Sequence, residues 1–190
     1  MIRRFGQTLK FSLLICFVFL AFICTSNTYA QQQVKMKLPS SEIYAGIEVG
    51  SKGVKMSLLE IAHKSKSTEI VRIVKDTSSN TDFISFTPES FSATLRALVG
   101  LIQFAQKEYQ IAPTKIYTVI SSGVKMQADK EKKADWVSQL IDSFKVSIAD
   151  PKRIVDIVDI KEEARLSHLG IVPESRRYNT FLIDIGSGNT

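Results

Sequence analysis

Two acidic residues in this chain each stand just ahead of a glycine turn. One is Glu48, in Ile47-Glu48-Val49-Gly50-Ser51-Lys52-Gly53; the other is Asp184, in Leu182-Ile183-Asp184-Ile185-Gly186-Ser187-Gly188-Asn189-Thr190. In both, a short apolar run carries the acid and the glycines follow. Glycine lets the backbone approach an anion closely, consecutive turn amides point at its oxygens, and the acid ahead of the turn can hold a metal or a water. Two such turns make the two sides of a phosphate clamp, and the sequence stops inside the second.

The elements that must position these turns follow from apolar periodicity. Ile43 to Val49 reads as a strand, Gly50 to Gly53 as its turn and Val54 to Ile61 as the return, with Val54, Met56 and Leu58 on one face and Lys55 and Ser57 on the other. A third strand over Glu69 to Val74 completes a meander. The period then changes. Thr87-Pro88-Glu89 has the form of a helix cap with proline in the first turn, and Phe91, Leu95, Leu98, Leu101, Ile102 and Ala105 follow at helical spacing. Next come a buried strand at Ile116 to Ile120, a turn at Ser121-Ser122-Gly123, and a helix at Lys130 to Phe144 with Trp136, Leu140, Ile141 and Phe144 as its inner stripe. A strand at Ile154 to Val158, a helix at Lys161 to Gly170 and a last strand at Tyr178 to Ile185 complete the order. A meander followed by helical crossovers predicts an α/β fold, a ribonuclease-H-like mixed sheet with flanking helices, as in one lobe of an actin-like protein.

Ahead of this domain, Arg3, Arg4 and Lys10 precede an apolar run from Phe11 to Cys24, and Thr28 and Ala30 suit a cleavage site. The run falls short of the roughly 20 residues that a bilayer crossing requires. The expectation is a signal peptide over 1–30, cleavage after Ala30, export to a periplasm and no stable membrane span afterwards. Residues 31–41 are polar and are expected to form a flexible lead-in, with the lobe over 42–190. Both cysteines, Cys16 and Cys24, fall in the leader, so the mature chain would rely on its core alone. The leader takes three of the 25 bases and none of the 19 acids. The near-balanced remainder argues against a nucleic-acid partner.

Ile43 to Ile61, Ile116 to Asp129, Ile154 to Val172 and Phe181 to Thr190 together resemble the first lobe of the exopolyphosphatase and guanosine pentaphosphatase (Ppx/GppA) family of the actin-like superfamily. The most specific segment, Glu162-Glu163-Ala164-Arg165-Leu166-Ser167-His168-Leu169-Gly170, is similar to the family's EEARLxxLG helix, and Asp184 to Thr190 is similar to its DIGGGST turn. The resemblance implies hydrolysis of a terminal phosphoanhydride in polyphosphate or a nucleoside polyphosphate, assisted by Mg²⁺ or another divalent cation. It also implies a second lobe downstream, and it admits a homodimer.

Such chemistry needs a group to take the water's proton, and cations or amides to absorb charge on the phosphoryl oxygens. By resemblance the base is Glu163. Glu162 fits a capping box with Asp159 and is expected to be used up on backbone amides. Glu48 and Asp184 would ligate the cation or hold its waters, or else serve as strand-end acids that accept turn hydrogen bonds. The amides of Gly50, Ser51 and Lys52, and of Gly186, Ser187 and Gly188, would cradle phosphates. Lys55 either reaches the same anion or decorates the surface. Lys125, in Ser121-Ser122-Gly123-Val124-Lys125, stands where the family's TSALR turn has a phosphate-gripping arginine. Lysine keeps the charge and loses the bidentate fork. His63 and His168 lack metal-ligand spacing and are expected at the surface or in packing.

The departures are specific. Glu48 stands where the family has aspartate, Lys52 where it has asparagine, Ser187 where it has glycine and Asn189 where it has serine. The added methylene at Glu48 shifts a carboxylate by more than the roughly 0.5 Å a metal site tolerates. Two alternatives therefore stand beside the hydrolase. One is a catalytically silent phosphate- or nucleotide-binding module. The other is an apyrase-like enzyme, because Gly50 to Lys55 and Ser122 to Lys125 also look like the GSTGTR and AGLR segments of secreted apyrases.

Overall fold

In the computed structural model, residues 34–62 and 71–183 are described. The first glycine turn sits at the tip of a long hairpin. Strands β1 (Ser41–Gly50) and β2 (Gly53–Ala62) pair antiparallel from Ser41↔Ala62 to Gly50↔Gly53, and β2 pairs antiparallel with β3 (Val71–Asn80). Strand β4 (Ile116–Ile120) lies parallel to β1 on its other side, and the two-residue β5 (Asp156–Ile157) lies parallel to β4. The sheet order is β3-β2-β1-β4-β5, the mixed sheet expected of a ribonuclease-H-like lobe.

Alternation along the strands sorts the side chains by face. Ala45, Ile47 and Val49 of β1, Val54, Met56 and Leu58 of β2, and Ile116 and Ile120 of β4 are buried under helices. Removing each larger one of these from water contributes roughly 1.5–3 kcal/mol. Tyr44, Gly46, Glu48, Lys55 and Tyr117 alternate onto the opposite face. A side chain built at Gly46 would meet nothing within 4 Å, and Tyr117 is exposed.

Helix α1 (Pro88–Glu108) starts as expected. Thr87 is its N-cap, Thr87 and Ser90 exchange hydrogen bonds in a capping box, and Pro88 fills the first turn where its missing N–H costs nothing. Its buried stripe, Ser90, Thr94, Leu98, Ile102 and Ala105, lies on one side of the cylinder. Trp136 packs edge-on against Phe86 and Phe91, tying α1 to the later helices as the core stripe predicted.

Two expectations are corrected. The single helix over Lys130 to Phe144 is two helices, α2 (Ser122–Glu131) and α3 (Ala134–Ser147). Lys132, at φ 58°, ends α2 with its N–H on Ala128 and Asp129 carbonyls. α2 escaped the periodicity reading because it buries little beyond Ser122, Val124 and Ala128. Next to the sheet, the amides of Lys37 and Leu38 both donate to the Glu60 carboxylate at 2.7 Å, and Glu60 is fully buried. Finally, Tyr178 to Ile183 form no strand. They follow α4 (Ile160–Ile171), and the sheet's edges at β3 and β5 do not take them up, so Tyr178, Phe181 and Ile183 stand almost fully exposed. Residues 184–185 of that expected strand, the leader, and Glu69 at the start of the expected third strand lie outside the described residues. Among the described residues no helix is long and apolar enough to cross a membrane.

Candidate active site

The chain builds outward from β1 to β2 and β3, then crosses through α1 to β4 and β5 on the other side. The loops leaving the carboxyl ends of β1 and β4 therefore diverge, one into the glycine hairpin and one into α2. That junction is the place where open α/β sheets bind ligands. One residue separates β4 from α2 and two separate β5 from α4, so both helices start at this end of the sheet.

Backbone hydrogen bonds knit this end together. Ser121 N–H donates to the Val49 carbonyl of β1 at 3.0 Å, and Val158 N–H donates to the Ile120 carbonyl of β4 at 3.1 Å. The next amide, Ser122 N–H, donates to Glu163 Oε2 at 2.7 Å. Glu163 thus leaves the first turn of α4 and is fixed over the start of α2. Among the described residues, no second donor reaches its carboxylate.

Glu162 behaves differently from expectation. Asp159 caps α4 by accepting from the Glu162 amide at 2.8 Å, but the Glu162 side chain does not return to the backbone. Arg165 takes both its oxygens at 2.8 and 2.7 Å, because a guanidinium fork one turn away outcompetes a single N–H. That Arg165 hydrogen bond also holds the Glu162 carboxyl below its ordinary range.

At the hairpin tip, Ser51 and Lys52 are the two loop residues between the Gly50↔Gly53 pair. Neither glycine adopts positive φ. Gly53 is needed for proximity instead: a Cβ there would stand 2.3 Å from the Ser79 carbonyl oxygen of β3. Glu48 curls towards the turn, its Oε1 lying 3.4 Å from the position a Gly50 Cβ would occupy. Lys55 is its direct cross-strand partner position and shares its face. Lys52 points the other way, 3.8 Å from Asp82, into an open cleft of about 630 Å³ lined by Asn80, Thr81, Thr87 and Glu89. Exposed as both partners are, that ion pair adds little.

Lys125 lies on α2 and is held by Asp129 at 2.7 Å, which raises its ammonium's affinity for the proton; Asp159 acts in the same direction from the cap of α4. His168 Nε2 contacts the Thr180 carbonyl at 3.1 Å, a packing contact as expected. Asp184, Gly186, Ser187 and Gly188, the second side of the clamp, lie outside the described residues, as does His63. The structure thus brings Glu48, the first glycine turn, the Ser121-Ser122 turn and the start of α4 to one end of the sheet. It turns Lys52 and Lys125 towards carboxylates. Sequence reasoning missed the Ser122 amide; a strand ending in Ser-Ser-Gly is the signal for a strand-to-helix junction that could have found it.

Among the described residues no group of three or more His, Cys, Asp or Glu gathers as a metal centre. Mg²⁺ commonly takes one or two carboxylates and completes its shell with water and substrate phosphate. Glu48, a hard oxygen donor that curls towards the turn, can supply one such carboxylate, one methylene longer than the aspartate the family carries there.

No family profile matches the chain, and no curated protein sequence does. Solved structures do. A Ppx/GppA family member from Aquifex aeolicus superposes with a TM-score of 0.53 at 13% identity, over 69% of this chain and 39% of that one. An exopolyphosphatase from Cytophaga hutchinsonii aligns with a TM-score of 0.46 at 14% identity, over 66% of this chain and 36% of that one. The chain spans about two fifths of the length of the first of these. At such identity the likeness speaks for the fold: the described residues form one lobe of the kind found in Ppx/GppA structures, a ribonuclease-H-like lobe of actin-like type.

Proposed function

We propose that this chain is the base-bearing lobe of an exported phosphoanhydride hydrolase. Glu163 removes a proton from water as the water oxygen bonds to a terminal phosphorus and the bridging P–O bond breaks, with inorganic phosphate as product. The substrate class is polyphosphate or a nucleoside polyphosphate such as pppGpp. The observation that carries this reading is the placement of Glu163: a carboxylate fixed by one oxygen on the Ser122 amide at the switch point of the sheet, where the preceding Ser121 amide is bonded to Val49, the neighbour of Glu48 in β1. An anchored oxygen leaves the other to receive the proton.

A divalent cation, Mg²⁺ by preference, would be held by Glu48 and by Asp184 of the second turn, and would supply neutralisation of charge on the phosphoryl oxygens. The chain's own contribution is separate from that. The turn residues Gly50, Ser51 and Lys52 offer backbone amides, and Lys55 and Lys125 supply positive charge. Gly186, Ser187 and Gly188 would close the other side, a further lobe is the expected partner, and the reading admits a homodimer.

Phosphate release from long-chain polyphosphate, pppGpp and ATP by the purified full chain, with Mg²⁺, tests the proposal. Glu163→Gln is expected to lower turnover by about 10²–10⁴-fold, the range of general-base catalysis, with substrate binding retained. Binding without any release that depends on Glu163 would identify a silent binding module instead, and ATP or ADP as the preferred substrate would favour the apyrase-like reading.

A further inference from the structure

We infer that the dipeptide Ser121-Ser122 is the positioning element of the site, setting Glu163 relative to the first glycine turn through two consecutive backbone amides. The inference rests on Glu163 being the base, as proposed above. Ser121 N–H reaches one residue short of the turn, to the Val49 carbonyl, and Ser122 N–H reaches Glu163 Oε2. Both serines are buried, at 6% and 3% exposure, in a protein whose α4 has no fully buried residue. α4 is therefore weakly held by packing, and the Ser122 bond anchors the Glu163 side chain to the sheet-bound α2. A charge-assisted N–H···O⁻ bond is short and directional, and it fixes the carboxylate plane as well as its place. Oε2 is engaged, so Oε1 is the atom turned to the water. Misplacing a catalytic group by about 1 Å can cost on the order of 10²-fold in rate, and this contact is what prevents it.

Backbone geometry offers a clean way to delete the anchor. Ser122 is the first residue of α2, where an N–H has no intrahelical partner and proline is tolerated. Ser121 has φ −68° and ψ 160°, the conformation that a residue before proline adopts. Ser122→Pro thus removes one N–H while leaving the helix its own hydrogen bonds.

For folded Ser122→Pro, kcat for phosphate release is expected to fall about 10–100-fold while KM stays within about twofold, a split that a general loss of structure would not produce. A second measurement needs no turnover. In the ¹⁵N–¹H spectrum of the wild-type chain, the Ser122 amide should move upfield in Glu163→Gln by more than any other amide of α2. Wild-type kcat in folded Ser122→Pro, alongside a large loss in Glu163→Gln, overturns the positioning role and leaves the base intact. Full activity of Glu163→Gln would instead overturn the base. A Ser122 amide signal indifferent to Glu163→Gln refutes the contact itself, whether or not the proline variant folds.

Discussion

Glu60 makes the sharpest test of how this lobe is held together. It is fully buried near the far end of β2 from the glycine turn, and its two oxygens have different partners. Oε1 accepts from the Lys37 and Leu38 amides and the Ser41 hydroxyl, each at 2.7 Å; Oε2 accepts from Arg72 Nε at 2.8 Å and from Arg72 Nη2. Glu60→Gln conserves shape and the Oε1 acceptor, but it replaces Oε2 with an amide nitrogen facing two guanidinium donors. Two charge-assisted hydrogen bonds are lost, at roughly 1.5–3 kcal/mol each. Arg72, whose side chain is 21% exposed, recovers part of that from water. The net cost is about 3 kcal/mol, at the lower edge of what breaking a buried ion pair costs. In a domain of this size each kcal/mol moves Tm by about 2–4 °C, so Tm should fall by about 6–12 °C.

The pH dependence gives the same prediction a second edge. Burial alone would push the Glu60 carboxyl up, but the Leu38 amide, the Ser41 hydroxyl, Arg72 and the Lys37 amide outweigh it and bring it down to about 2 from an ordinary 4.5. A depressed folded value means that the stabilisation is fully present above pH 4.5 and is lost as pH falls through about 2. Urea unfolding of the two proteins should therefore show a constant gap from pH 7 to about 5 that narrows below 4.5. A Tm within about 2 °C of wild type at pH 7, or a gap unchanged down to pH 2.5, would refute the reasoning.

Two further outcomes follow from the site end of the sheet. Gly53→Ala must displace backbone, since its Cβ would meet the Ser79 carbonyl oxygen at 2.3 Å and the Asn80 Cα at 3.0 Å; it should cost about 2–3 kcal/mol by urea midpoint, whereas Gly46→Ala, with nothing within 4 Å, should stay within about 0.5 kcal/mol. Equal costs would contradict the close approach of β2 and β3. Lys125→Ala should raise KM for polyphosphate about tenfold with kcat little changed, one charge lost from ground state and transition state alike; a fall in kcat at constant KM would place Lys125 in the chemistry instead.

What could be read in advance follows from the range of each interaction. β1, β2, β4 and α1 carry their own period and their own cap, so Ala45, Ile47, Val49, Val54, Met56 and Leu58 declared the core face, and Thr87 declared a helix start. The break at Lys132 had no such signal, because a lysine at positive φ carries no sequence mark of the kind a glycine would. Glu60 was illegible for the opposite reason. A single acid in an apolar strand looks like surface until β3 and the lead-in deliver five donors to it, from 12 to 23 residues away in the chain. The same holds at the site. Glu163 could be named from its neighbours in the helix motif, but the group that holds it is a backbone amide 41 residues earlier, and an amide has no letter in a sequence. Side-chain identity thus proposed the base, and only the crossing of β4 into α2 beside β1 supplied the geometry that would let it work as one.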